Sequence, residues 1–278
     1  MIRILLLLLF ALAATLPAVE CAGQEPALLQ RQHPWARFPV GSWKSVRVVS
    51  ETLDENGIVA NIIRTETKTT LVAADEQGYS LRIESTVEVA GKRFASQPQI
   101  VRHGYYGETA GQSVTVKKLA DEELVIDGRS VPSEVRHATF DADGVTRVSK
   151  IYSSRSSPYQ LRRETTTEGL PQEQGVTTTV ETVAIGLPQK VLNEVQPAAY
   201  MKTTRKGPQG TKVTLEVHCD NVPGGVVSHS SSDTDANGNT IRRSTLELID
   251  YAIGGHPATA DPATRRRAFT RQRPRRMN

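Results

Sequence analysis

The chain has 278 residues, of which 38% are hydrophobic and only 5% aromatic, with a formal charge of +4. That length allows one large β domain or two small ones, and so few rings leave a core to be built from Val, Ile, Leu and Ala. The charge belongs to one end: Arg265, Arg266, Arg267, Arg271, Arg273, Arg275 and Arg276 stand in a stretch without an acid, so the rest of the chain is mildly acidic and the net charge is no argument for a nucleic-acid-binding face.

Arg3 followed by the apolar run Ile4–Leu16 and the small residues of Cys21-Ala-Gly23 read as a secretory signal over residues 1–23. The run is too short to span a bilayer comfortably. The expected location is therefore the periplasm or the exterior. Lipidation of Cys21 is the rival reading, and Glu20 stands where lipoprotein signals prefer a small residue. With Cys21 removed, Cys219 alone remains, which excludes a disulfide framework.

Residues 24–34 are polar, with Pro26 and Pro34, and are expected to be an unpacked leader. Trp35 and Trp43 are expected to cap one end of a core together. Val46 and Val48 begin a strand, Asp54-Glu-Asn-Gly57 is a turn, and Ile58, Ala60 and Ile62 place one face on the return strand. Tyr79, Leu81 and Ile83, continued by Val87 and Val89, repeat the two-residue period of a half-buried strand. Residues 101–111 are rich in Gly and Tyr and carry no clear period. Val114 and Val116 mark a short strand, and Asp121–Gly128 another that ends in Asp-Gly. Gln189–Val195, after Pro188, is expected to form one or two helical turns. From Gly255 onward Pro and Arg dominate and apolar content nearly vanishes, the composition of a disordered tail over 255–278.

A longer period overlies these elements. Pro132, Gly144, Pro158 and Gly186 recur as Pro197, Gly210, Pro223 and Gly254, at offsets of 65–68 residues. Residues 132–186 and 197–254 are thus expected to be two copies of a four-strand unit, with 39–91 as a shorter third. The competing explanation is convergence of Thr- and Val-rich hairpins on one grammar.

Few residues combine into chemistry. Asp233-Thr-Asp-Ala-Asn-Gly238 opens like a calcium loop, but Ser244 stands where the twelfth-position Glu is needed, and a hairpin whose Asp and Asn cap their own turn accounts for it better. His218-Cys219-Asp220 fails as a nucleophile set because successive strand residues face opposite ways. His218 joins Lys212, Thr214 and Glu216, whereas Cys219 joins Val213, Leu215 and Val217 as a small core residue. No catalytic, cofactor-binding or metal-ligating residue is assigned, and no cofactor is expected.

The strand leading into Val222-Pro-Gly-Gly-Val-Val227, with Val125-Ile-Asp-Gly-Arg-Ser-Val-Pro132 before it, resembles secreted bacterial proteins of β-repeat type. It is similar in general character to the lipoprotein-carrier half-barrel (LolA-like) class. That resemblance implies a curved antiparallel sheet around an apolar cavity, and no site residue carries over from it. The expectation is an all-β domain over 35–254: a large curved antiparallel sheet, an open half-barrel of repeated four-strand units with at most one or two short helices. It would be a non-enzymatic envelope protein holding a lipid or lipoprotein in its concave face, or else a structural or interaction module with a filled core. Its arginine-rich tail would touch an anionic surface.

Overall fold

A computed structural model describes residue 30 and residues 32–109, 112–142, 145–168 and 175–254. The expected signal, Cys21 and the arginine-rich tail lie outside the described residues. Fifteen strands form one antiparallel sheet: β1 (Trp43–Leu53), β2 (Val59–Asp75), β3 (Gly78–Val89), β4 (Lys92–Ala95), β5 (Gln99–His103), β6 (Ser113–Lys118), β7 (Glu122–Ile126), β8 (Arg129–Ala142), β9 (Val145–Ser153), β10 (Arg162–Glu168), β11 (Val176–Val191), β12 (Glu194–Gly207), β13 (Gly210–His218), β14 (Val226–Asp235) and β15 (Thr240–Ala252). The all-β, open-sheet expectation holds.

Nearly every strand pairs with its neighbours in sequence, and β1 pairs with β15. The first and last strands of the described residues are therefore sewn together. The sheet instead ends in mid-sequence: β4 and β5 flank β3 at one edge, while β6 and β7 flank β8 at the other. Residues 104–112, between β5 and β6, link those edges.

The sheet curls. Trp35 packs with Leu71, Tyr79 and Leu81 of β2 and β3 and also lies against Gly224, in the turn between β13 and β14. From β2 to the β13–β14 turn is three to four strand spacings along the sheet, roughly 15 Å if it were flat. One indole can touch both only if the sheet wraps around it. The segment 32–38 plugs the resulting bore. His33 Nδ1 accepts from the Trp35 and Ala36 amides at 3.2 and 3.3 Å, and its ring lies 4.3 Å from that of Tyr79. Residues 32–34 of the expected leader are thus packed. The two tryptophans do not share a core: Trp43 faces outward under Lys68, 4.4 Å from its ring.

Turn chemistry behaves as the residues dictate. Asp54 Oδ1 accepts from the Asn56 and Ile58 amides, and Asp235 Oδ1 from Asn237 and Asn239. The latter makes the Asp233–Gly238 stretch a self-capped hairpin turn. Gln189–Val195 is no helix. Gln189 to Val191 end β11, Leu192 takes a positive φ of 54°, and Glu194 begins β12. A two-turn helix cannot offset its own nucleation, whereas hairpin pairing, with Pro188 opposite Pro197, satisfies the backbone at once. Residues 132–186 fall within β8–β11 and 197–254 span β12–β15, two successive four-strand meanders, while 39–91 contain β1–β3.

The faces are distributed against the hydrophobic pattern in places. One unbroken row of paired residues runs Arg136, Ile151, Arg163, Val180, Thr203, Thr214, Ser231, Ser244, Ser50, Ile63 from β8 around to β2. Directly paired residues share a face, and this row faces the bore. Thr214 is consequently buried, while Leu215 is 55% exposed on the convex side. Ile58 and Ile62, placed together on one face of the return strand, are both exposed. Buried apolar residues gather in three separate clusters: around Trp35 and Leu71, around Cys219 and Val222, and around Val135 and Leu161.

Candidate functional site

The inner face between β8 and β13 bounds a cavity of about 380 Å³, within the size range of ligand pockets, roughly 300–1,000 Å³. Its floor is the inward row of the sheet, where Ile151, Val180 and Met201 supply apolar surface and Thr203 a hydroxyl. The plug residues His33, Pro34 and Arg37 roof one side and the Tyr105-Tyr106-Gly107 loop the other, while Ser157–Gln160, between β9 and β10, closes a wall.

The loop is held across the opening of the sheet. Tyr105 Oη donates to the carbonyls of Asp75 and Gly78 at the β2–β3 hairpin. The neighbouring Tyr106 carbonyl accepts from Arg163 Nη1 on β10 at 3.1 Å. The loop thus ties the β2–β3 hairpin to β10 through hydrogen bonds. Gly107 takes a φ of +91°, a left-handed backbone that favours glycine.

Charge in the cavity is uneven. Arg163 is largely buried and also donates from Nε and Nη2 to Ser149 Oγ at 3.3 and 3.1 Å. Burial, helped by nearby Arg147, pulls its guanidinium down to about 10, against the opposing field of Glu108. The Phe140 ring lies within cation–π range of both arginines, 4.7 Å from Arg147 and 5.5 Å from Arg163. Arg136 pairs with Glu134 at 3.2 Å. Arg37 donates to the Asp220 carbonyl and stacks 5.2 Å from Phe38, and its Nε is buried without a hydrogen-bond partner. On the far wall Glu216 Oε2 meets His218 Nε2 at 2.9 Å, a contact that holds the carboxyl below its ordinary range. Beyond it, Lys44 is buried over the Trp35 ring and donates to the carbonyls of Gly224 and Val226. Burial brings that amine down to about 8.

His218 and Cys219 separate as strand alternation requires. The histidine faces the cavity, whereas Cys219 lies fully buried among Val191, Ala198, Val222 and Val227, with burial pushing its thiol up to about 11. Among the described residues no group of three His, Cys, Asp or Glu is placed to hold a metal ion. The arrangement is suited to enclosing an apolar body while presenting guanidinium groups to a negative charge.

Sequence reasoning missed His33, Arg37, Tyr105, Arg136 and Arg163, which come from the leader, the segment just after it, an unpatterned loop and two strands. No spacing connects them. The available signals were the Gly- and Tyr-rich 101–111 stretch and arginines standing where inward strand positions were due.

No known protein family matches the chain, and no curated protein matches it. Among solved structures it is similar to a protein from Bacteroides fragilis assigned as exported, of YmcC-like fold, at 10% identity and a TM-score of 0.30, covering 77% of this chain and 98% of that one. It is also similar to a protein from Parabacteroides distasonis assigned as a lipoprotein, at 10% identity and a TM-score of 0.28, covering 77% and 97%. TM-scores of this size carry no argument about fold or function.

Proposed function

We propose that the protein is an exported, non-catalytic component of the cell envelope that takes the acyl chain of a lipid or lipoprotein into the bore of its curled sheet. The observation that carries this reading is the cavity itself: about 380 Å³ over an apolar floor of Ile151, Val180 and Met201, roofed by a plug and a loop. Ligand pockets combine such a floor with a few placed polar groups. Export rests on the N-terminal pattern around Arg3 and Ile4–Leu16, and the arginine-rich end would add attraction to an anionic surface.

Native mass spectrometry of protein purified from its own host tests the reading. A co-purifying lipid mass, lost in Met201→Trp with the melting temperature kept, is the expected result. A clean apoprotein without affinity for fluorescent fatty acids would overturn it. The second reading, an interaction module with a filled core, draws on the other half of the bore. There small hydroxyls pair with one another, as Ser231 Oγ with Ser244 Oγ at 2.8 Å, and the apoprotein result would favour it.

A further inference from the structure

The cavity contains a cationic feature that binding of a neutral acyl chain would leave unused. Arg163 and Arg37 both line it. Arg163 donates to neutral acceptors, the Tyr106 carbonyl and Ser149 Oγ, and Arg37 to the Asp220 carbonyl, with its buried Nε left over. Glu108 and Asp220 act on them as fields, but among the described residues neither guanidinium has a carboxylate as hydrogen-bond partner. The cavity's own carboxylate, Glu216, is engaged by His218, and Arg136 is matched by Glu134.

A half-buried guanidinium whose hydrogen bonds go only to neutral acceptors is poorly compensated, and it gains most by forking onto a carboxylate or phosphate. We infer that the occupant of this cavity is an anion-headed amphiphile, its carboxylate or phosphate held by Arg163 and Arg37 and its hydrocarbon lying over Ile151 and Val180. This rests on the acyl-binding reading and adds the charge of the head group. Nothing covalent is involved. The head group stays ionised and exchanges water for guanidinium hydrogen bonds.

Three twelve-carbon probes test it by displacing a neutral naphthylamine dye from the purified protein: dodecanoate, dodecyl phosphate and dodecanol. The anions should displace the dye at concentrations roughly tenfold lower than the alcohol, the scale of a charge-assisted hydrogen bond. The preference should shrink several-fold in Arg163→Met and in Arg37→Met, with dodecanol unaffected. Whichever anion wins identifies the head group as carboxylate or phosphate. Equal displacement by all three probes would overturn the charge inference and leave the acyl-binding reading standing. No displacement by any would overturn that reading itself. Since the wild-type comparison needs no variant and Arg37 is a second position, loss of folding in Arg163→Met does not shield the inference.

Discussion

At the scale of single residues, the plug is where packing is least forgiving. Gly224 has a φ of +74°, and a Cβ there would stand 2.5 Å from Trp35 Cε2. Gly224→Ala should therefore cost about 1–3 kcal/mol by overpacking, and Trp35→Ala about 3–5 kcal/mol by emptying its pocket. Urea unfolding of both single variants and the double should show clear coupling, because removing the indole removes the clash. His33 makes stability depend on pH. Burial first, then His103 and Arg37, pull its folded pKa from 6.5 to about 4. The unfolded chain binds the proton more readily, so this contribution is whole above pH 6.5, is lost as pH falls from there toward 4, and is flat below. Its size is about 3 kcal/mol. Urea midpoints at pH 7 and 4.5 should converge in His33→Asn relative to wild type, since Asn keeps an acceptor for the Trp35 and Ala36 amides and cannot titrate. At Cys219, burial and a raised thiol predict no alkylation by iodoacetamide at pH 8 until urea unfolds the chain, as read by peptide mass mapping.

At the scale of elements, β13 shows what alternation can and cannot say. The sequence separates Lys212, Thr214, Glu216 and His218 from Val213, Leu215 and Val217, and the structure keeps that separation. Which set faces inward is decided by curvature. The polar set lines the bore, and Leu215 faces out. Leu215→Lys should shift the urea midpoint by less than about 0.5 kcal/mol equivalent, while Thr214→Lys, which forces a cation onto a buried position 8% exposed, should cost several times more. The reverse ranking would place the core on the other face. The same element ends at His218 and passes Cys219 into an apolar cluster that joins the turn residue Val222 to Val191 of β11, Ala198 of β12 and Val227 of β14.

At the scale of the molecule, the seam between β1 and β15 joins the first and last strands and leaves the opening in mid-chain. Ser42, fully buried, holds that seam: its Oγ donates to the Pro39 carbonyl at 2.7 Å and accepts from the Gly254 amide at 2.8 Å. Ser42→Ala strips the half-buried Gly254 amide of its acceptor and should cost about 1–2 kcal/mol. Amide exchange should then rise at the β1–β15 pairing before it rises at β11–β12. On the convex side, Arg47 joins Glu247 across the same seam and Glu66 of β2 on its other flank, each at 2.9 Å. Those exposed pairs add little to stability by comparison.

The sequence by itself determined the class of the molecule and its local grammar: β-branched strands, Asp- and Gly-capped turns, a buried Cys219, and a Pro-Gly-Gly turn after β13. Each follows from the conformational preferences of a few adjacent residues. Only the tertiary structure decided that β1 closes on β15, that the polar face of β13 turns inward, that Gln189–Val195 bends as a hairpin, and that Trp35 enters the bore while Trp43 leaves it. The cavity belongs to this second group. Arg37, Tyr105 and Arg163 come together because one long sheet curls, and curvature is a sum over fifteen strands that no local stretch of sequence contains.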